Sequence, residues 1–149
     1  MKLQIKKAGI EDVKSIAPIF DAYRIFYGKN SDIVSAEIFL ADRLLKHQST
    51  IFIALLGEEI VGFTQLYPIF SSVSLSNTWL LNDLFVHEKA RQQGVAAALL
   101  NKAKDFGKET NAKWLLLETS SDNFSAQKLY EKNGWIKQTD LFYQFILSS

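Results

Sequence analysis

The segment from Leu81 to Ala96 carries the clearest chemical pattern in the sequence. It reads as an apolar strand, a short polar loop and a helix start, with the small residues Gly94 and Ala96 at that start. The first turn of a helix has unsatisfied backbone N–H groups and the positive end of the helix dipole. Small residues there let a pyrophosphate approach the backbone closely, and Arg91 and Gln92 add donors. The segment therefore predicts an anion site, although one glycine at a helix start is more often only a turn residue.

A second segment, from Asn123 to Trp135, reads as a short helix ended by Gly134. Asn123 is suited to cap the start of that helix. Tyr130 offers a phenolic hydroxyl, which is able to give a proton to a leaving group. Its position four residues after Ala126 and beside Leu129 is more typical of a core aromatic than of a catalytic acid. The spacing alone therefore leaves the role of Tyr130 open.

Together the two segments resemble the two motifs of the GNAT superfamily, the GCN-five-related N-acetyltransferases. In that family an Arg/Gln-x-x-Gly-x-Gly/Ala loop binds the CoA pyrophosphate, and it is matched here by Arg91, Gly94 and Ala96. The second motif is an Asn with a Tyr seven residues later and then Gly-Phe/Trp, and it is matched here by Asn123, Tyr130, Gly134 and Trp135. The order of elements also agrees, so the resemblance covers nearly the whole chain. It leans towards the polyamine and diamine acetyltransferase branch.

The resemblance implies an enzyme that moves an acetyl group from acetyl-CoA to an amine. The backbone of the strand ending in Leu84, Phe85 and Val86 is expected to bind the pantetheine arm. The pyrophosphate and its neighbouring groups are expected at Arg91, Gln92, Gln93, Gly94, Val95 and Ala96, with Asn123 as a further CoA contact. Tyr130 is the implied general acid for the CoA thiolate. Proton transfer from a phenol of pKa about 10 to a thiolate of pKa about 8.5 costs roughly 2 kcal/mol, so it is helpful rather than indispensable.

Deprotonation of the amine is the step for which the sequence leaves alternatives open. The polyamine branch has Leu-Glu-Asp on the strand, whereas this chain has Asn82 at the Glu position, and an amide takes no proton at neutral pH. Asp83, Glu118 or an ordered water would then accept the proton, unless the amine arrives neutral. Alternation places Asp83 on the same face as Trp79 and Phe85. A carboxylate there is either hydrogen-bonded structurally or functional, and we select Asp83 as the catalytic candidate and Asn82 as a substrate contact.

Aromatic residues at the end of the first predicted helix form a candidate amine pocket. Tyr23, Phe26 and Tyr27 are grouped there, and with Asp21 and Asp83 they suit a cation. The pattern favours the alternative, in which Tyr23 and Phe26 are core residues and Asp21 is a solvated charge. Tyr27 is therefore the substrate-binding candidate of this group.

Periodicity predicts the elements that position these residues. We expect a strand near residues 3–5, helices over 11–26 and 35–47, strands over 50–56 and 60–67, a Ser-rich loop over 71–77, a strand over 79–86, a helix over 94–110, a strand over 114–119, a helix over 124–133 and two final strands, one including 141–147. Ser35 is the expected N-cap of the second helix. The order predicts an α/β (α+β) fold in a single domain, residues 1–149. The resemblance adds a mostly antiparallel mixed sheet with helices on both faces and a splayed central strand pair.

Composition excludes several classes of function. The formal net charge of +1 gives no electrostatic argument for a nucleic-acid or membrane partner, and the absence of cysteine excludes disulfides and thiolate metal sites. His47 and His87 lie too far apart in sequence to form a metal motif, so no metal is expected. The first residues lack the apolar core of a signal peptide and no apolar run approaches 18 residues, so we expect a cytoplasmic protein.

Three functions and one assembly remain as hypotheses. A small-molecule amine acetyltransferase is favoured over a protein N-terminal or lysine acetyltransferase and over a non-catalytic acyl-CoA-binding sensor. The retained Tyr130 and the lone domain argue against the sensor. The apolar residues at the C-terminus lie on both faces of a predicted strand, namely Leu141, Phe142, Tyr143, Phe145, Ile146 and Leu147. Such a strand needs cover, and a partner subunit in a homodimer is the simplest source.

Overall fold

The computed structural model describes residues 2–148, which form five strands and four α-helices. The strands are β1 (Leu3–Lys7), β2 (Thr50–Leu56), β3 (Glu59–Ser71), β4 (Ser76–Val86) and β5 (Leu115–Leu116). The α-helices are α1 (Val13–Phe26), α2 (Ile33–Leu45), α3 (Val95–Glu109) and α4 (Phe124–Lys132). The predicted mixed α/β class is confirmed. No helix in the described range combines the length and the apolar character that a membrane span requires.

The chain divides into two compact units, Met1–Glu118 and Thr119–Ser149. The first unit holds the whole sheet and helices α1 to α3, and the second holds α4. The assignment of residues 1–149 to a single domain stays a prediction.

The strands form one sheet in the order β1-β2-β3-β4-β5. Neighbours from β1 to β4 are antiparallel, and β4 pairs with β5 in parallel. A parallel pair needs a crossover connection, and α3 supplies it between β4 and β5. The predicted mixed, mostly antiparallel sheet is therefore confirmed.

Helices cover both faces of the sheet. Ile51 and Ile53 of β2 belong to a buried core with α1 and α2. Between them Phe52 points the other way, because side chains alternate along a strand, and its ring meets Phe106 of α3 at 5.5 Å. Burial on both faces explains why the sequence of β2 is continuously apolar.

Helix α2 begins earlier than the sequence pattern indicates. The helix starts at Ile33, and its N-cap is Asp32, whose carboxylate accepts a hydrogen bond from the Ser35 backbone N–H at 3.1 Å. The prediction of Ser35 as the N-cap was therefore wrong. Asp and Ser are both good caps, and the two residues lie three positions apart, so the local pattern does not separate them.

The hairpin of β3 and β4 is longer than predicted. Pairing continues to Ser71 and Ser76, and only residues 72–75 form the turn. Residues 71, 76 and 77 of the predicted Ser-rich loop are therefore strand, and the loop is limited to the four residues between them. Serine disfavours a strand only weakly, and pairing between neighbouring strands outweighs that preference.

The C-terminal part of the chain departs most from the sequence prediction. Strand β5 is limited to Leu115–Leu116, although 114–119 had the pattern of a strand. The two final strands are not found in the described residues after α4. An apolar β-forming pattern gives a strand only where the backbone pairs with a neighbour, and composition does not show where that pairing occurs.

Candidate active site

The sheet opens at the β5 end of the described strand order, where β4 separates from β5. Trp79 pairs with Leu115 and Leu80 with Leu116, and no pairing between the two strands follows in the described chain. Residues 81–86 of β4 therefore have a free backbone edge on that side. The predicted ligand-binding run of Leu84, Phe85 and Val86 lies within this open edge. The splayed strand pair is confirmed, and its free amides and carbonyls are able to pair with an extended ligand.

A β-bulge marks the point of separation. On the side of β3, Gln65 pairs with Asp83 and the next residue, Leu66, pairs with Leu81, so Asn82 is an extra residue without a partner in the ladder. A bulge of this kind bends the strand and changes the face to which the following side chains point. Asn82 itself is exposed.

The bulge corrects one prediction about Asp83. The ring of Trp79 contacts Phe106 of α3, whereas the Asp83 carboxylate contacts Tyr23 of α1. Trp79 and Asp83 therefore face opposite sides of the sheet, and the expectation that they share a face was wrong. Regular alternation assumes an unbroken pleat, and the extra residue at Asn82 breaks it.

Asp83 lies at the centre of a buried hydrogen-bond network. Its carboxylate accepts hydrogen bonds from the Tyr23 hydroxyl at 2.8 Å, from Gln65 Nε2 at 2.8 Å and from Asn82 Nδ2 at 3.0 Å. The Asp83 residue is 6% exposed. Burial and the adjacent Asp83 charge raise the pKa of Tyr23 well above its ordinary value, so this phenol stays protonated.

The loop after β4 is held by its own side chains. Arg91 Nε donates to the Val86 carbonyl at 3.1 Å, and Gln93 Nε2 donates to the Lys89 carbonyl at 3.3 Å. Gln92 has a left-handed backbone with φ of 62°. The side chain of Gln93 thus stabilises the loop, and its contribution to a ligand would come from its backbone.

The start of α3 offers its backbone amides without a competing cap. Gly94 is the N-cap with φ of 78°, it has no side chain to accept from the first turn, and no acidic residue lies in that turn. The Val95 side chain is buried, so it anchors the turn to the sheet, and Ala96 is small. An anion fits these free N–H groups and the helix dipole. The residues present therefore suit the CoA pyrophosphate.

The aromatic group at the end of α1 lies beside β4. The ring of Tyr23 packs against Phe85 at 5.7 Å and against Tyr27 at 5.1 Å. Tyr27 is 65% exposed, so its ring is available to a ligand. The Arg91 guanidinium lies over the Phe26 and Phe85 rings, at 5.7 and 5.8 Å from their centres. The structure thus brings the predicted amine-pocket residues next to the predicted cosubstrate loop.

Asp21 does not belong to this pocket. Its carboxylate accepts hydrogen bonds from Ser31 Oγ and from the Asp32 backbone N–H, both at 2.7 Å, and the residue is 3% exposed. Asp21 therefore fixes the connection between α1 and α2. The interpretations of this residue as part of the amine pocket or as a solvated charge were both wrong.

The remaining two candidates, Asn123 and Tyr130, lie in the second unit. Asn123 caps α4, since its Oδ1 accepts from the Ala126 backbone N–H at 3.2 Å. The helix ends in a left-handed Gly134 with φ of 91°, and the Trp135 N–H bonds back to the Tyr130 carbonyl at 3.0 Å. The Tyr130 ring lies 6.3 Å from the Trp135 ring, centre to centre. The predicted cap and helix end are confirmed.

The sequence analysis missed two residues that shape the site. Gln65 is 0% exposed, yet it supplies a hydrogen bond to Asp83. Gly62 lies where β3 meets both β4 and α3, since an added Cβ would come within 3.0 Å of the Phe85 carbonyl oxygen and 3.2 Å of Val95 Cγ1. A polar residue in a buried strand and a glycine in a strand interior were the available signals.

Comparison with known proteins gives consistent matches. The model of the acetyltransferase (GNAT) family matches residues 16–135. The uncharacterized N-acetyltransferase YhfO of Bacillus subtilis (strain 168) is 47% identical over 137 residues, 92% of each chain. A probable acetyltransferase of Haemophilus influenzae is 36% identical over 124 residues, 83% of this chain and 85% of that one.

The similarity extends to solved structures. The crystal structure of a probable acetyltransferase, 44% identical in sequence, superposes with a TM-score of 0.92 over 98% of this chain and 99% of that chain. The family match includes every candidate site residue from Tyr27 to Tyr130.

Proposed function

This chain belongs to the acetyltransferase (GNAT) family, whose acetyl donor is acetyl-CoA, and we propose that it transfers the acetyl group to the primary amine of a small molecule by direct attack with both substrates bound. The observation that carries this proposal is the open edge of β4, which runs over residues 81–86 and leads through the 87–94 loop to the uncapped start of α3. The edge suits the amide-containing pantetheine arm, and the helix start suits the pyrophosphate.

The acceptor side of the proposal depends on what lies next to that edge. Tyr27, Phe85 and the Tyr23–Asp83 pair form an aromatic surface with a carboxylate behind it. Rings and a carboxylate favour a cationic amine over an anionic acceptor. Small diamines and polyamines are accordingly the first acceptors to test.

Proton transfer is proposed for Tyr130, whereas Asp83 has an orienting role. Tyr130 is the general acid that protonates the departing thiolate. Asp83 is buried and accepts three hydrogen bonds, so its contribution is to hold and orient neighbouring groups, and the amine loses its proton to water or arrives neutral. Asn82 is exposed at the bulge and is a candidate contact for the acceptor.

A panel of acceptors tests the proposal. Release of CoA thiol from acetyl-CoA is measured with diamines, polyamines, aromatic amines, amino acids, and peptides with a free N-terminus or an internal lysine. Rapid CoA release with small amines, together with slow release with peptides, supports the proposal. A preference for peptides would instead establish a protein acetyltransferase, and acetyl-CoA binding without turnover on any acceptor would indicate a sensor.

A further inference from the structure

Among the described residues, the Asp83 carboxylate has hydrogen-bond donors but no counter-ion. Its three donors are the neutral side chains of Tyr23, Gln65 and Asn82. The ion pairs found in the described residues join other carboxylates to their cations. Both Asp83 oxygens accept, which is the pattern of an ionised carboxylate. A buried anion with only neutral partners keeps a negative potential that favours a cation beside it.

The contact with Asp83 fixes the orientation of the Tyr23 hydroxyl. A phenol has one proton, and here that proton is donated to Asp83 Oδ1 at 2.8 Å. The oxygen therefore presents only lone pairs to any further partner, and it accepts hydrogen bonds without donating them. The Tyr23 ring is held by aromatic neighbours, namely Phe20, Tyr27, Phe63 and Phe85, with ring centres 5.1 to 6.2 Å away.

Other titratable groups face the same region. Burial, with a smaller effect of Asp83, raises the pKa of Tyr67 to about 12. The charge of Arg43 acts on Tyr67 in the opposite direction. Tyr67 makes no hydrogen bond to Asp83 in the described residues, so Tyr23 is the tyrosine that Asp83 orients.

We propose that Tyr23 is an acceptor-binding residue, whose hydroxyl, oriented by Asp83, accepts a hydrogen bond from the N–H of the incoming amine and holds its nitrogen beside the open edge of β4. The inference rests on the proposed function and specifies how that site recognises its acceptor. Asp83 acts through Tyr23 as a positioning residue. A hydroxyl that only accepts, backed by an anion, selects amines that carry an N–H and disfavours acceptors with a carboxylate next to the amine.

Removal of one oxygen tests the role of Tyr23. Tyr23→Phe keeps the ring and its packing but takes one donor from the buried Asp83 carboxylate, so the Tm should fall modestly. We expect the KM for the best amine of the panel to rise about tenfold, while the KM for acetyl-CoA stays at its wild-type value. Tyr67→Phe is the matched control, because it removes the hydroxyl of another half-buried tyrosine that does not bond to Asp83. Its amine KM is expected to stay within about twofold of wild type.

A double-variant cycle tests the role of Asp83. Asp83→Asn keeps the size of the side chain and removes the charge, so this variant should also raise the amine KM. If Asp83 acts through Tyr23, the double variant should lose little more than either single variant. If the two residues contributed independently, the KM increases of the single variants would multiply in the double variant, and that result would contradict the coupling.

The two proposals fail in different ways. An unchanged amine KM in Tyr23→Phe, or an equal rise of the amine KM and the acetyl-CoA KM, would overturn the role of Tyr23 while leaving the acetyltransferase function intact. Wild-type protein that releases no CoA with any amine would overturn the proposed function itself, and the role of Tyr23 with it.

Discussion

At the scale of single residues, the proposed acceptor side of the site depends on which donors and acceptors are already paired within the protein. Asp83 accepts on both oxygens, and Tyr23 donates its only proton to it. Sequence inspection identified Asp83 as a candidate but left Tyr23 between a core role and a pocket role. The distinction needed the distance between two residues that lie 60 positions apart, and such a distance is set by the tertiary fold.

The general-acid role of Tyr130 is tested by removing its hydroxyl. Tyr130→Phe retains the ring that lies next to Trp135. Stability and acetyl-CoA affinity should be unchanged, and kcat should fall by about 10²-fold if protonation of the thiolate limits the rate. Steady-state kinetics with the best amine measure this fall. Tyr143→Phe, an exposed tyrosine of the same unit, is the control and should retain wild-type kcat.

The cosubstrate role of Gly94 is tested by a bulkier residue. Apart from Gly94 and its two chain neighbours, no atom of the described residues lies within 4 Å of a Cβ added at Gly94, so a side chain there occupies the space expected for the pyrophosphate. Gly94→Val should weaken acetyl-CoA binding by about tenfold or more, as measured by calorimetry.

Backbone strain at Gly94 needs a control, because its φ of 78° disfavours any side chain. Gly28 has φ of 85° and equally open surroundings. Gly28→Val should therefore lower the Tm similarly and leave acetyl-CoA affinity unchanged. Equal losses of affinity in both variants would assign the effect to strain and would contradict the placement of the ligand at Gly94.

At the scale of elements, the site is made by the departure of β4 from regular pairing. The bounds of β2 follow from a continuous apolar run between turn residues, and the structure reproduces them as Thr50–Leu56. The bulge at Asn82 has no comparable signal, because an exposed Asn also fits a regular strand. The face occupied by Asp83 could therefore not be derived from alternation. Asp32 as the cap of α2 was missed for a similar reason, since Ser35 fits the same pattern.

Close packing of β3 against β4 and α3 is tested at Gly62. Gly62→Ala would place a Cβ 3.0 Å from the Phe85 carbonyl oxygen, a backbone atom that cannot move without shifting the open edge. We expect a loss of about 1–3 kcal/mol in the free energy of unfolding, measured by urea denaturation, together with weaker acetyl-CoA binding.

A second buried glycine provides the comparison for Gly62. At Gly107, an added Cβ would meet the end of the Leu115 side chain, at 3.1 Å, and a side chain end moves more easily than backbone. Gly107→Ala should be neutral or slightly stabilising, because alanine favours the helix. A neutral Gly62→Ala would show that the strand and helix adjust freely at this point.

At the scale of the whole molecule, the family assignment and the sheet are established, and the assembly is still a prediction. The apolar residues at the C-terminus, from Leu141 to Leu147, favour burial against a partner. We expect a homodimer, with twice the chain mass of 16.9 kDa in light scattering at micromolar concentration. A mass equal to one chain would contradict the dimer.

The open edge of β4 also bears on solubility. Unpaired strand edges invite pairing with other chains, and here the separation of β4 from β5 leaves the edge over residues 81–86 open, where we expect the cosubstrate to bind. The same backbone groups cannot serve both a ligand and a neighbouring chain. A bound cosubstrate would therefore block intermolecular strand pairing at β4. Protein stored without acetyl-CoA should precipitate more readily on storage or mild heating than protein stored with it.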